Sequence, residues 1–306
     1  MNTMLYISRA LREESVMKSL TGLQVRQFKE LHEKFDAELL SRKLTAKPGR
    51  QRALGGGRKH TLEDSTGMLF FILMYFRVYP TMAVAGFLFG AARSRVCEWV
   101  KTYQPVLEAV LGHTMDLPKR KISSVEEFIK AFPNVRKVVI DGTERPRARP
   151  KDFEKQRRHY SGKKKRHTLK NTLVVEPEQK KILILTSTTP GSVHDKKDLD
   201  DNDIVPHIPK EIPIELDLGY KGLEKEYQGI IIPHKKPRKG ELTETQKQQN
   251  REIASSRIRG EHAIGLCKRY RCVSDVFRNR REGFDDAVMF TCCGLANFYQ
   301  RTKKRA

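Results

Sequence analysis

Lys137-Val138-Val139-Ile140-Asp141-Gly142-Thr143 is the stretch on which the reading of this chain turns. Three β-branched residues in a row predict a short buried strand, and an aspartate follows it. A strand that hands an acid to a loop is how an α/β or α+β fold presents a metal ligand, although many such acids only cap the next turn. Two further acids stand in compatible places. Ile212 to Leu216 predicts a strand ending at Asp217, and Glu261 lies on a long helix predicted from a Thr243/Gln246 cap to about Tyr270. If the two strands are neighbours, their carboxylates meet, and the longer Glu261 side chain reaches across from the helix. Mg²⁺ prefers hard carboxylate oxygens, and a two-ion phosphodiester site needs a bridging carboxylate with others on either side. Spacing alone leaves a second reading open, in which all three acids are structural. Arg257, one turn before Glu261, either holds that carboxylate or forms a surface pair.

The charge of the chain favours the chemical reading. Sixty Lys and Arg stand against 37 Asp and Glu, a formal +23 over 306 residues. This excess predicts an anionic polymer as partner, nucleic acid rather than membrane. It is clustered: residues 142–170 carry twelve Lys/Arg against three acids. Among them are Arg145, Arg157, Arg158, Lys163, Lys164, Lys165, Arg166 and Lys170, with His167 in their midst. A loop of this kind between two strands is suited to gripping phosphates. Tyr160 either stacks on a base or packs. Lys268 and Arg269 open a second basic group after Glu261. Neither group has a matching apolar face for a membrane surface. The longest apolar stretch, near Met68 to Phe76, is too short for a span, and the first twenty residues lack a signal-peptide core. Five cysteines without a CxxC pair fit a reducing compartment. The expectation is a soluble intracellular protein.

Taken in order, residues 1–46 predict helix, either a dimerising or DNA-contacting unit or a helix packed on the next domain. Residues 47–60 are rich in Gly and cations and predict a basic linker. Thr61 with Asp64 suggests a cap for an apolar helix ending near Arg77. Thr81 caps a second helix, Gly90-Ala91-Ala92 turns, and a third helix runs from about Ser94. It would present Arg93, Arg95, Glu98 and Lys101 outward and Val96, Trp99 and Val100 inward. This is a helix-turn-helix pattern, open to two uses: DNA contact, or packing as in any three-helix bundle. Strands dominate beyond Asp141, with a hairpin from Thr168–Val175 to Lys181–Thr186. His194-Asp195 has no Ser or Cys partner and is no hydrolase triad. Asp195 is either a third metal-site acid or, as favoured here, a helix cap or a support behind the site. A final apolar helix runs from about Asp285 to Phe298, and Arg301 to Ala306 is a solvated basic tail. The division expected is a helical segment with linker at 1–60, a helix-turn-helix region at 61–115 and a mixed α/β catalytic domain at 116–306.

In combination and order, several stretches resemble the DDE transposases of the IS5-like insertion-sequence group, related to Harbinger-type transposase domains. They are Val139-Ile140-Asp141-Gly142-Thr143-Glu144, the run Tyr160 to Lys170, and Gly191-Ser192-Val193-His194-Asp195. Leu216-Asp217-Leu218-Gly219-Tyr220-Lys221-Gly222 follows, then Asn250-Arg251 and Arg257-Ile258-Arg259-Gly260-Glu261-His262. The resemblance spans about residues 20 to 300. It implies an RNase H-like catalytic domain with an N-terminal helix-turn-helix. It also implies Asp141, Asp217 and Glu261 as catalytic residues binding two Mg²⁺ or Mn²⁺ ions. The substrate implied is double-stranded DNA, as terminal inverted repeats and target, cleaved and joined by a homodimer in a prokaryotic, nucleoid-associated cytoplasmic setting. His194, Asp195 and Arg257 would stand behind the ligands. Two positions depart from the pattern: Leu218 where Lys is common, and Gly260 where a larger apolar residue is common. A helical glycine is expected to loosen the helix carrying Glu261 by roughly 1 kcal/mol. A metal-dependent nuclease without strand transfer and a catalytically lapsed DNA-binding protein remain the alternatives.

Overall fold

The fold comes from a computed structural model, which describes residues 7–46, 61–62, 64–237 and 240–303. The basic linker 47–60 and residues 304–306 of the tail lie outside the described residues. The chain divides into two compact units. One takes residues 1–117, 269–274 and 288–306; the other takes residues 118–268 and 275–287. The expected catalytic segment 116–306 is therefore shared, because its last helix packs with the N-terminal unit.

That first unit is helical. Helices α1 (Ile7–Ala10), α2 (Glu14–Thr21) and α3 (Val25–Thr45) precede α4 (Ser65–Val78), α5 (Met82–Phe89) and α6 (Arg93–His113). α4 is buried from Gly67 through Phe76, and α2, α3 and α6 all pack on it. A helix apolar on every side belongs in a core. Its cap is Asp64, whose carboxylate accepts from the Gly67 N–H at 2.7 Å, rather than Thr61. Phe71 sits edge-on to Phe89 and to Trp99, each at 5.2 Å, tying the three helices of the helix-turn-helix together. α6 runs on through Pro105 as one helix. Val96, Trp99 and Val100 are buried while Arg93, Arg95, Glu98 and Lys101 are exposed, as the periodicity predicts. The tail departs from expectation. Arg301 makes two 2.8 Å hydrogen bonds to Asp116, which is 2% exposed, so it anchors a helix end instead of facing solvent.

The second unit is built on a mixed sheet. Helix α7 (Val125–Ala131) precedes β1 (Val138–Pro146); α8 (Phe153–His159) and the short β2 (Tyr160–Ser161) lead to β3 (Arg166–Glu176). β4 (Lys181–Leu185), β5 (Thr189–Pro190), α9 (Asp195–Asp201), β6 (Ile214–Glu215) and β7 (Ile230–Ile231) follow. α10 (Glu244–Lys268) closes this series, and α11 (Arg271–Ser274) and α12 (Phe284–Lys303) end the chain. β1 pairs antiparallel with β3, and β3 with β4, while β6 lies parallel to β1 and β7 parallel to β6. The order β4-β3-β1-β6-β7, three antiparallel strands continued by two parallel ones, is an RNase H-like sheet.

β1 does not end at Asp141. It runs five residues further, because the eleven-residue β3 offers a partner along its whole length, from Val139↔Val175 to Pro146↔Thr168. Alternation then sorts β1 by face. Val138 and Ile140 join the core under α7 and α9 with Ile214 and Leu216. Val139 faces α10, where Gly260 lies so close that a Cβ there would sit 3.1 Å from Val139 Cγ1. Gly260, expected to weaken the helix, is what lets the helix reach the sheet. Gly260→Ala should therefore shift stability by no more than about 1 kcal/mol, its helix propensity gain offset by the squeeze. Gly260→Leu should cost about 2–3 kcal/mol in chemical denaturation, because it drives the helix off Val139.

Candidate active site

The register builds the site. Val139 pairs with Glu215 across the parallel β1–β6 ladder. Two residues beyond that pair come Asp141, still in β1 and on the face of Val139, and Asp217, just past the end of β6. Asp217 has left the strand and caps a 3₁₀ turn over Leu218–Tyr220. Its Oδ1 accepts from the Leu218 N–H at 2.7 Å and from the Arg257 guanidinium at 3.2 Å. Arg257 thus holds Asp217, not the Glu261 carboxylate that the helical spacing suggested. Glu261, next to Gly260, is exposed, and the Asp217 side chain is 46% exposed, so the acids open to solvent.

Asp141 feels the other two acids. Burial pushes the Asp141 carboxyl above its ordinary pKa. Arg257 and the Gly142 N–H pull it back, while the charges of Asp217 and Glu261 raise it further. Hard, mutually repelling oxygens of this kind suit a divalent ion such as Mg²⁺. As they stand, no group of three or more His, Cys, Asp or Glu among the described residues is close enough to hold one. The fit lies in the donor set and in its uncompensated charge, with Arg257 now covering one oxygen of Asp217.

His194 and Asp195 lie behind this face. His194 is the cap: its Nδ1 accepts from the Lys196 N–H at 3.3 Å. Asp195, read from the sequence as a cap or a support behind the site, is not the cap; it starts α9 and accepts from Lys170 Nζ at 2.7 Å. Lys170 is opposite Glu144 in the β1–β3 ladder and 4.0 Å from its carboxylate. Glu144, Lys170 and Asp195 therefore occupy the α9 side of the sheet, away from α10, which argues against Asp195 as a third ligand beside Glu261. Asp195 approaches through the gap at Gly142, where a Cβ would lie 3.3 Å from its Oδ1 and 3.4 Å from the Tyr220 hydroxyl. Burial and the charges of Asp195, Asp141 and Asp198 raise the Tyr220 pKa far above the ordinary phenol value, so it stays neutral. Gly191 admits no side chain, since a Cβ would overlap Thr168 Oγ1 at 1.8 Å.

The cations divide into two sets. Arg157, Arg158, Lys163, Lys164, Lys165, Arg166 and Lys268 are exposed and available to a polyanion, as are Arg93, Arg95 and Lys101 on α6. Arg95 shares its charge with Glu98 at 2.7 Å. Three residues read as phosphate contacts are used internally instead. Arg145 is 1% exposed and donates to Asn171, Thr188 and the Asp285 carbonyl. Lys170 is 4% exposed in its ion pairs. Arg269 lies over the Tyr299 ring, 4.7 Å from its centre, and reaches the Gly22 carbonyl. The stretch 142–170 is not one loop, and residues within β1 and β3 alternate into the interior. His167 is half-buried, and burial with Arg149 and Arg147 lowers its pKa, so it contributes a neutral ring rather than a charge.

Sequence reasoning missed the internal role of Lys170, Tyr220 at the back of the site, and Asn250. Asn250 clasps the loop after β7, accepting from the His234 N–H at 2.8 Å and donating to its carbonyl at 3.0 Å. A lysine inside the apolar run Thr168 to Val175 was the one available signal.

Residues 140–297 match the family described as DDE superfamily endonuclease. The chain belongs to that family. Residues 60–112 match the helix-turn-helix of DDE superfamily endonucleases, covering α4 to α6. A relative from Microchaete diplosiphon, described as "Probable transposase for insertion sequence element IS702", is 31% identical over 238 residues, 78% of this chain and 79% of that protein. No solved structure matches. Family members generally use divalent metal ions. No helix among the described residues is long and apolar enough to cross a membrane.

The raised pKa of Asp141 has a sign that can be checked. A carboxyl that binds its proton more tightly when folded loses stability as pH rises above the unfolded value, near 3.8, towards the folded one. In metal-free buffer at pH 7, Asp141→Asn should melt at a higher temperature than the parent chain. The gap should narrow as the pH approaches 4, and added Mg²⁺ should raise the Tm of the parent only.

Proposed function

We propose that this DDE superfamily endonuclease is an insertion-sequence transposase, cutting DNA at terminal inverted repeats and joining the freed 3′ end to target DNA. The observation that supports the reading is that Asp141, on the strand paired with β6 and facing α10, feels the charges of both Asp217 and Glu261. The relative described as a probable transposase supports it over most of the chain.

Asp141 and Asp217 would hold the two divalent ions, Mg²⁺ or Mn²⁺, between them, and Glu261 would complete the set from the helix. Such ions supply an activated attacking oxygen, first of water and then of the 3′-hydroxyl, and stabilise the leaving oxygen. Arg257 keeps Asp217 oriented and moderates repulsion between the acids. Lys170 fixes Asp195 behind the strand, and Tyr220, kept neutral, adds no charge there. The exposed cations from Arg157 to Arg166 would track phosphates, and α6 would present Arg93, Arg95 and Lys101 to the repeat. Pairing two ends calls for a homodimer on DNA, acting on the bacterial chromosome in the cytoplasm.

With purified protein, Mg²⁺ and DNA bearing the flanking repeats of its own locus, nicked and joined products should form. Asp141→Asn, Asp217→Asn and Glu261→Gln should each abolish both while leaving repeat binding within about threefold, since phosphate contacts dominate affinity. Nicking without joining would replace this reading with that of a nuclease. Repeat binding with neither reaction would make the chain a lapsed enzyme. Replacing Lys163, Lys164 and Lys165 with Gln should flatten the log–log salt dependence of binding by up to about 2.7, at about 0.9 per lost phosphate contact.

A further inference from the structure

β7 ends the sheet, with β6 on one side only. In their parallel ladder the Ile214 N–H donates to the Gly229 carbonyl at 2.9 Å, and the Leu216 N–H to the Ile231 carbonyl at 3.0 Å. Residues 229 and 231 therefore turn their main-chain groups towards β6, and alternation turns those of Ile230, Ile232 and His234 outward. At His234 the Asn250 amide meets both groups, accepting from the N–H and donating to the carbonyl as a neighbouring strand would. The outward groups of Ile230 and Ile232 have no such partner among the described residues. An open edge of this kind is a template for another strand.

Resting on the transposase reading for its need of two copies, we propose that this edge takes β7 of a second copy of the chain, paired antiparallel about a twofold axis at Ile231. The edge is complementary to itself. With Ile231 opposite Ile231, Ile230 lies opposite Ile232 of the second copy, and each outward N–H meets an outward carbonyl. A patch that pairs with itself closes at two copies and leaves no edge for a third. Charge selects the same partner and the same direction. Residues 227–234 carry no Lys, Arg, Asp or Glu in a chain of formal charge +23, so two like-charged copies can approach here without cations facing each other. Glu224, Lys225 and Glu226 precede this stretch, and Lys235 and Lys236 follow it. Antiparallel pairing sets the basic end of one copy against the acidic end of the other, with Lys236 at the level of Glu226, both exposed. Parallel pairing would bring the lysines against their own copies. The side chains of Ile230 and Ile232 are already packed against the core, so pairing uses the backbone alone. Three residues a side make a small seam, and the dimer it gives is reversible.

The test uses the full chain carrying Cys97→Ser, which leaves only buried native thiols. Ile231→Cys then sets two thiols at a non-hydrogen-bonded pair, where Cα atoms stand about 4.5 Å apart, within disulfide range. Diamide, a thiol oxidant, should convert most of this variant to a disulfide-linked dimer. Gln228→Cys, exposed and three residues from the axis, would lie roughly 20 Å from its copy and should stay monomeric under the same oxidant. Ile232→Pro removes an N–H that the single chain leaves unpaired, a change that edge strands tolerate. It should raise the dimer dissociation constant measured by sedimentation at least about tenfold, through two lost hydrogen bonds, with little change in Tm. No crosslinking of Ile231→Cys, equal crosslinking of Gln228→Cys, or a dimer untouched by Ile232→Pro overturns the seam. None of these readouts uses DNA, so the transposase reading stands or falls separately, on nicking and joining of the repeat.

Discussion

The close contact of Gly260 with Val139 is the constraint on which the catalytic unit depends. It brings a helix backbone against the one face of β1 that also carries Asp141. The parallel ladder pairs Val139 with Glu215, two residues before Asp141 and Asp217. Either element displaced by one residue would send a carboxylate to the wrong face, because strand side chains alternate. A large side chain at position 260 would hold the helix away, and Glu261 with it.

Charge is arranged around that contact in layers. The acids of the α10 face are left in mutual repulsion, tempered only by Arg257 and a backbone N–H, which suits a centre that takes cations. On the α9 face the acids are held by partners: Lys170 lies between Glu144 and Asp195. Asp198, 1% exposed, takes hydroxyl hydrogen bonds from Thr172 at 2.6 Å and Thr189 at 2.8 Å. Breaking a buried pair leaves an uncompensated charge, so such residues hold geometry rather than meet a ligand. The cations of α8 and of the turn before β3 are exposed instead.

The helical unit solves a different problem. α4 is too apolar to face water on any side, and the surrounding helices exist largely to cover it. The Asp116–Arg301 pair, with Asn297 donating to the Asp116 carbonyl at 2.8 Å, ties the last helix into this unit. A domain is defined by what its apolar surface packs against, and chain order is a poor guide to that.

The local signals in the sequence determined a good deal by themselves. Val138-Val139-Ile140 marked the central strand, Thr243 with Gln246 the start of the long helix, and the Val96, Trp99, Val100 spacing the buried face of α6. These are nearest-neighbour patterns of hydrophobicity and capping, written in consecutive residues. The motif order around Asp141, Asp217 and Glu261 also named the family. What the tertiary structure decided is everything that depends on a partner distant in sequence. It extended β1 past Asp141, because β3 was there to pair with it. It buried Arg145 and Lys170, which composition counted with the exposed cations. It turned Arg257 to Asp217, forty residues away, instead of to its helical neighbour, and made Gly260 a point of contact rather than a weakness. Helix spacing and charge counts carry no information about which face a strand's neighbour will cover, and that choice is made only when the sheet forms.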